Sequence, residues 1–203
     1  MGFGKQTMIF LGKNAMSKKD AQRYRGKVNR AQGKLFEERI DAALAYYDRL
    51  GLASVEKTPE PMRPIRSLSE GRFVAIFEKP AQPDYKGTLK GGRAVVFEAK
   101  HTSTGQMEQS RVTGVQAKRL EHHQELGALC FVVAGFGQED VFRIPWKVWW
   151  DMKSAFGRKY VTPKDLEEYR VKLSWSGVLL LLDPVSGPKV EKREAEMKGR
   201  RRA

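Results

Sequence analysis

A chain of 203 residues that is 40% hydrophobic, with 4 Trp, 6 Tyr and 10 Phe, can bury a real core and fits one domain with elaborations. Lys and Arg number 38 against 24 Asp and Glu, a net charge of +14, which favours a polyanionic partner: nucleic acid first, an acidic membrane surface second. A single cysteine excludes an internal disulfide, no apolar run is long enough to span a membrane, and Met1–Leu11 is too short and Gly-broken to read as a signal peptide, so a cytoplasmic location is expected.

Residues 1 to about 30 are rich in Gly, Lys, Arg and Gln and lack an apolar period, which reads as a mobile basic arm. Its Lys13, Lys18, Lys19, Arg23, Arg25, Lys27 and Arg30 can neutralise backbone phosphates. From Ala31 to Leu50, Phe36, Ile40, Ala43, Leu44, Tyr47 and Leu50 recur at helical spacing, and Gly51 supplies a stop. Glu37 borders that apolar stripe, whereas Glu38 and Asp41 are expected to face outward. A short strand over Leu52–Lys57 is followed by Thr-Pro-Glu-Pro-Met-Arg-Pro, whose prolines forbid a helix and exclude a central strand. About 25 residues of this kind exceed what an economical connection needs. With Arg63, Arg66, Arg72 and Lys79 beside Met62, Ile65, Leu68, Phe73 and Ile76, they read as a projecting arm with a basic surface.

The chemistry concentrates between Ala81 and Thr102. A Pro83-Asp84 pair leads through a Gly-rich turn into the strand Val95-Val96-Phe97-Glu98-Ala99-Lys100. Side chains alternate along a strand, so Val95, Phe97 and Ala99 face the core while Val96, Glu98 and Lys100 face the other way. A hairpin would bring Asp84 to the same spot. Two carboxylates can hold a hard divalent cation, which lowers the pKa of bound water and shields phosphoryl charge, and a neighbouring lysine can stabilise a pentavalent transition state. Taken alone, Glu-x-Lys is common, and an ordinary surface hairpin with a Glu/Lys pair is then the better reading.

A second helix is expected over Arg111–Leu126, with Val112, Val115, Leu120, His123 and Leu126 inward and Gln116 on the same face. A buried amide needs partners: a core hydrogen bond, or a metal, its water or a phosphate. Strands over Ala128–Phe136 and Val141–Ile144 follow, and Cys130 within the first reads as a packed thiol. Trp146, Trp149 and Trp150 start a further helix as packing residues. A helix over Asp165–Lys172, a buried run Val178–Leu182 and a charged tail ending Arg200-Arg201-Arg202 complete the chain.

The order of these elements resembles the restriction-endonuclease-like nucleases and, within them, the RecU-type Holliday junction resolvases, also called penicillin-binding-protein-related factor A. The resemblance runs from Asn29 to Trp146. It rests on Asn29-Arg30, Gly33 and Phe36-Glu37, the Pro-rich arm, and Asp84-Tyr85-Lys86-Gly87. It rests further on Phe97-Glu98-Ala99-Lys100, and on Gln116 ahead of Gly127 and Cys130-Phe131-Val132-Val133. It implies an α/β fold, a mixed central sheet flanked by helices, with a nuclease domain over 29–185 between a basic arm (1–28) and a basic tail (186–203). The insertion at about 62–80 would be the family's stalk.

By the same resemblance, Asp84 and Glu98 are the metal-binding carboxylates, Lys100 stabilises the transition state, Gln116 completes the metal site and Glu37 is a further catalytic acid. Gln82 stands where the family has threonine and offers an amide oxygen as a fourth metal contact. Arg30, Arg63, Arg66, Arg72, Lys86, Lys90 and Arg111 are the expected DNA contacts. Mg²⁺ (with Mn²⁺ as the alternative), a homodimer, branched four-way DNA nicked symmetrically and a recombinase partner are implied as well. Two other readings compete: another DNA nuclease of this fold, acting on flaps or ends, and a non-catalytic DNA-binding accessory protein.

Overall fold

The structure, a computed structural model, describes residues 17–59, 62–77 and 82–183. Its centre is a five-stranded mixed sheet in the order β1-β4-β5-β7-β8, from β1 (Ala53–Lys57), β4 (Tyr85–Leu89), β5 (Ala94–Thr102), β7 (Leu129–Phe136) and β8 (Asp140–Pro145). Every pairing in this sheet is antiparallel except β5 with β7, which are parallel and joined by α2 (Gly114–Glu125), while the short β6 (Met107–Glu108) of that connection pairs outside the sheet with β9 (Tyr160–Val161). One face of the sheet is covered by α1 (Lys18–Arg49), the other by α2 and the short helices α3 (Trp146–Trp150) and α4 (Met152–Phe156). This is the α/β class expected, a mixed sheet between helices.

The two cores follow the strand alternation. Val95, Phe97, Phe131 and Val133 meet Phe36, Ile40, Ala43, Leu44 and Tyr47 of α1. Val96, Cys130, Val132 and Ala134 meet Ala117, Leu120, Trp146 and Trp149. Burial pushes the Cys130 thiol up to about 12, which keeps it protonated and inert. On the α1 face Tyr85, Phe97 and Phe131 lie side by side on β4, β5 and β7, their rings stacked at centroid separations of 4.7 Å. Tyr85 also donates its hydroxyl to Asp41 on α1 at 2.9 Å. Asp41 therefore does not face away from the sheet as expected: an exposed carboxylate is bent in to satisfy a buried phenol. Phe36 packs over Gly135, where a Cβ would lie 2.6 Å from its ring.

Several boundaries differ from the sequence reading. Lys18–Val28 is the start of α1, not a mobile arm. Ser17 caps the helix, accepting from the Asp20 amide, and the residues that follow are good helix formers. They carry no apolar period because they pass beyond the sheet, and among the described residues the first α1 side chain to bond beyond its own helix and cap is Asn29, which accepts from Ser103, just after β5, at 3.0 Å. In α2, Val115 and Leu126 are exposed and His123 is half-buried, since the helix starts at Gly114 rather than Arg111 and rotates its inner stripe to Gln116, Ala117 and Leu120. Asp151 breaks the Trp-rich helix in two. The expected helix over Asp165–Lys172 is a 3₁₀ helix, Pro163–Tyr169, after which Arg170 returns to extended pairing with Phe142.

Pro64 falls on a separate two-stranded ribbon, β2 (Met62–Ser67) and β3 (Phe73–Phe77), that leaves the main sheet after β1; Pro59 precedes it, and Pro61 lies outside the described residues. Every residue of β2 is exposed, as are the apolar Phe73 and Ile76 of β3. Residues 1–16 and 184–203, the outer arm and tail of the sequence reading, lie outside the described residues, as does Lys79. Among the described residues no helix is long and apolar enough to cross a membrane.

Gly87 shows how tightly β4 is fitted. A Cβ there would lie 2.1 Å from the Ser54 carbonyl oxygen and 2.5 Å from Val55 Cα, both rigid backbone. Gly87→Ala must therefore push β1 from β4. We expect it to lower the urea-unfolding free energy by about 3 kcal/mol, the upper part of the overpacking range. A midpoint unchanged from wild type would show that β1 yields freely.

Candidate active site

The site forms where β4 begins and β5 approaches its carboxyl end. The β4–β5 register sets Tyr85 opposite Phe97, so Asp84, one residue earlier, lies beside Glu98–Lys100. Asp84 Oδ2 accepts from the Ala99 amide at 3.0 Å and from Lys100 Nζ at 3.2 Å. Lys100 also donates to Glu98 Oε2 at 2.6 Å. The hairpin thus joins three side chains that the sequence separates by 16 positions.

Glu98 is fully buried. Its Oε2 accepts from Lys100 and, at 2.7 Å, from Gln116 Nε2, while Oε1 has no hydrogen-bond partner. Burial first, and then the neighbouring Asp84 carboxylate, push the Glu98 carboxyl up to about 8 against the opposing pull of Lys100. A buried carboxylate with one oxygen unsatisfied is costly unless a charge or donor meets it. A divalent cation held by Asp84 and Glu98 would answer that need, because oxygen donors suit a hard cation and water can fill its other positions. The donor set fits such an ion, although the described residues contain no cluster of three or more Asp, Glu, His or Cys around one point.

Gln116 is placed by a device in its own turn. Thr113 caps α2: its hydroxyl accepts from the Gln116 amide at 3.4 Å, and Gln116 Oε1 accepts from the Thr113 amide and hydroxyl, each at 3.1 Å. That capping box holds the amide oxygen inside the helix turn and aims the amide nitrogen at Glu98. The expectation for Gln116 was a metal ligand; its oxygen is already taken, and what it presents to Glu98 is an N–H. Thr113 was missed by the sequence reading, although Thr-x-x-Gln is a legible helix-start signal.

The remaining candidates scatter. Gln82 Oε1 accepts from Lys86 Nζ at 2.5 Å, so this oxygen and this amine occupy each other. Glu37 is bound to Lys57 at 2.6 Å, outside the carboxylate cluster. Lys57, also missed, links the two groups: its hydrogen bond to Glu37 raises its pKa first, and the charges of Asp41 and Asp84 add to that. Arg111 donates to the His101 carbonyl at 3.0 Å, close to the carboxyl end of β5. Arg30 is exposed on α1, and Arg63, Arg66 and Arg72 are exposed on the ribbon. Lys90 lies in the β4–β5 turn, where its amide bonds Leu52, at the end of the sheet opposite Asp84.

Comparison with known proteins adds to this geometry. Residues 31–185 match the family model for recombination protein U. The chain is similar to the Holliday junction resolvase RecU of Geobacillus sp. (strain WCH70), 25% identical over 150 residues, covering 68% of this chain and 73% of that protein. It is likewise similar to the Holliday junction resolvase RecU of Bacillus cereus (strain B4264), 26% identical over 155 residues, covering 70% and 76%. Among solved structures, the Holliday junction resolvase Hjc of Archaeoglobus fulgidus matches with a TM-score of 0.40 and 12% identity, covering 67% of this chain and 88% of that one.

If Thr113 sets the Gln116 amide, Thr113→Val should cost about 1 kcal/mol of stability through the lost cap, and Thr113→Ser should restore it. Urea midpoints for the three proteins decide this. Equal midpoints for Val and wild type would remove the cap from the account of the site.

Proposed function

The chain belongs to the recombination protein U family, and from that premise we propose that it is a Holliday junction resolvase, a metal-dependent endonuclease whose chemistry resides at Asp84, Glu98 and Lys100. The observation that carries the reading is the convergence of two carboxylates and an ammonium at the end of β5, with one buried Glu98 oxygen unsatisfied. A protein that only grips DNA gains nothing from carboxylates turned toward a polyanion.

In this reading Asp84 and Glu98 hold Mg²⁺, or Mn²⁺ in its place. The chemistry a bound ion supplies is a lowered pKa for its water and shielding of the phosphoryl charge. Lys100, released in part from its two carboxylates, faces the scissile phosphate and stabilises the charge that develops there. Gln116, fixed by Thr113, keeps Glu98 oriented as a positioning residue. Glu37 acts through Lys57, whose charge lies near Asp84.

The DNA would lie across the end of the sheet from which β5 emerges. Three basic elements support that placement. The start of α1 passes beyond this end with Arg23, Arg25, Lys27 and Arg30. The ribbon with Arg63, Arg66 and Arg72 springs from the end of β1, where the Thr58 amide bonds the Asp84 carbonyl. Arg111 ends the 3₁₀ turn Gln109–Arg111 and bonds back to the His101 carbonyl of β5. An exposed apolar ribbon flanked by arginines suits entry into the open centre of a four-way junction, where shape rather than base sequence is read. Two copies related by a two-fold axis would match the two-fold symmetry of that substrate and nick it symmetrically.

The test is an immobile four-way junction with and without Mg²⁺. Asp84→Ala and Glu98→Ala should bind it with wild-type affinity and cut at least about 100-fold more slowly, and chelator should abolish wild-type cleavage. Normal cutting by either variant refutes the assignment. Flaps and linear duplex run alongside identify a different nuclease if they are cut faster. Neutralising Arg63, Arg66 and Arg72 together should weaken junction binding more than duplex binding; equal losses would remove the ribbon's junction-probing role.

A further inference from the structure

The segment after the 3₁₀ helix adds a strand-like stretch to the outer edge of β8. Arg170 pairs with Phe142, and the Val171 amide bonds the Val141 carbonyl at 2.8 Å. The chain runs on toward the turn between β7 and β8, reverses at residues 174–178, and returns beneath α1. Its returning leg buries Leu179 and Leu181 and bonds Tyr47 through the Leu182 amide. At the tip stands Trp175, its side chain fully exposed.

We propose that Trp175 is a stacking platform for a nucleobase of the bound DNA, one exposed where pairing or stacking is interrupted. Three observations carry this. The first is rigidity. The Ser174 amide bonds the Val178 carbonyl at 2.8 Å, the Gly177 amide bonds the Ser174 carbonyl at 3.0 Å, and the Val178 amide bonds Ser174 Oγ at 3.0 Å. Gly177 takes the left-handed conformation, φ +79°, that the reversal requires. The indole is therefore presented on a closed turn, not on a floppy loop.

The second is place. The β7–β8 turn lies at the same end of the sheet as Lys100, since the Gly137 amide bonds the Thr102 carbonyl at 2.9 Å. The tip thus projects from the end on which the proposed DNA rests. It rises from the β8 edge, whereas the ribbon rises from the β1 edge, and the carboxylates lie between. Five strand spacings separate β1 from the stretch added outside β8, about 24 Å, the scale of a nucleic-acid duplex.

The third is chemistry. Arg170 pairs with Asp140 at 2.6 Å and Glu167 at 2.7 Å, and Glu139 is exposed in the neighbouring turn. Arg39, which donates to the Gln138 carbonyl of that turn, and Lys172 supply the remaining cations, so among the described residues these charges near the tip balance. Such a surface attracts a phosphate poorly. What it offers is a flat apolar face, with Leu173 half-exposed beside it, and every base has a π-face to lay on it.

The inference rests on the DNA reading above, so its test measures binding in chelator, without cleavage. The full chain is titrated with a labelled immobile junction, with a 20-nucleotide thymidine strand and with blunt duplex. Trp175→Ala should weaken junction and single-strand binding about 10-fold and duplex binding less, as loss of one stacked base does; Trp175→Phe should stay within threefold of wild type. The thymidine strand should quench wild-type tryptophan fluorescence, and Trp175→Phe should lose that quenching although Trp150 remains half-exposed. Equal affinities for Trp175→Ala and wild type sink this inference alone. So does a drop in sedimentation mass for Trp175→Ala, which would give the indole to a second copy of the chain. A wild-type protein that binds none of the three DNAs overturns the junction reading too.

Discussion

The site depends on a register, and the register is set by aromatic packing one residue away. Tyr85, Phe97 and Phe131 stack across three strands on the α1 face. Each such pair adds about 0.5–1.5 kcal/mol beyond its burial. Asp84 precedes Tyr85, and Glu98 follows Phe97 on the opposite face. A slip of one residue between β4 and β5 would turn every side chain over and send the Glu98 carboxylate into the α1 core. The apolar stack and the polar cluster are therefore two faces of one pairing. The hydrogen bond from Tyr85 to Asp41 carries the constraint into α1 and from there to Glu37 and Lys57.

Within that frame Glu98 is the expensive member. A buried carboxyl is unfavourable in its charged form, and Asp84 beside it adds to the cost, which is why its pKa rises even with Lys100 at 2.6 Å. The chain surrounds it with donors but leaves one oxygen unmet. A group of this kind is tolerated where the surrounding structure over-determines it, and here the Thr113 cap, the Gln116 amide and the paired strand do so. The strain is local, and it sits where a substrate-side cation would relieve it.

Much of this was legible in the residues. The alternation of Val95 to Lys100 gave two faces that the structure keeps, and the Gly-rich turn gave a hairpin that brings Asp84 to Glu98. Three kinds of feature were not legible. Lys18–Val28 has no apolar stripe because it overhangs the sheet, so periodicity had nothing to register even though cap and propensity favour a helix. The inner face of α2 was misjudged because Val115 and Leu126 are apolar yet exposed, while Gln116 is polar yet buried; pattern reading follows hydrophobicity, whereas the capping box fixed the helix start three residues later than expected. Partners were invisible: nothing in the sequence tells that Lys57 meets Glu37 or that Lys86 meets Gln82, since these contacts form only once β1, β4 and α1 are assembled.

The one parallel pair in the sheet explains why the candidate site lies at this end of it. A parallel neighbour for β5 requires a crossover, and α2 supplies it between β5 and β7. The crossover necessarily starts where β5 ends, so the first turn of α2 is delivered to the carboxyl end of β5, beside Glu98 and Lys100. Crevices at the carboxyl ends of strands are where open α/β sheets bind ligands. Here the crossover contributes Gln116 directly, through a side chain in the helix's first turn. An all-antiparallel sheet with the same two carboxylates would have left Glu98 buried without that donor. The mixed topology is thus a requirement of the site rather than an ornament of the fold.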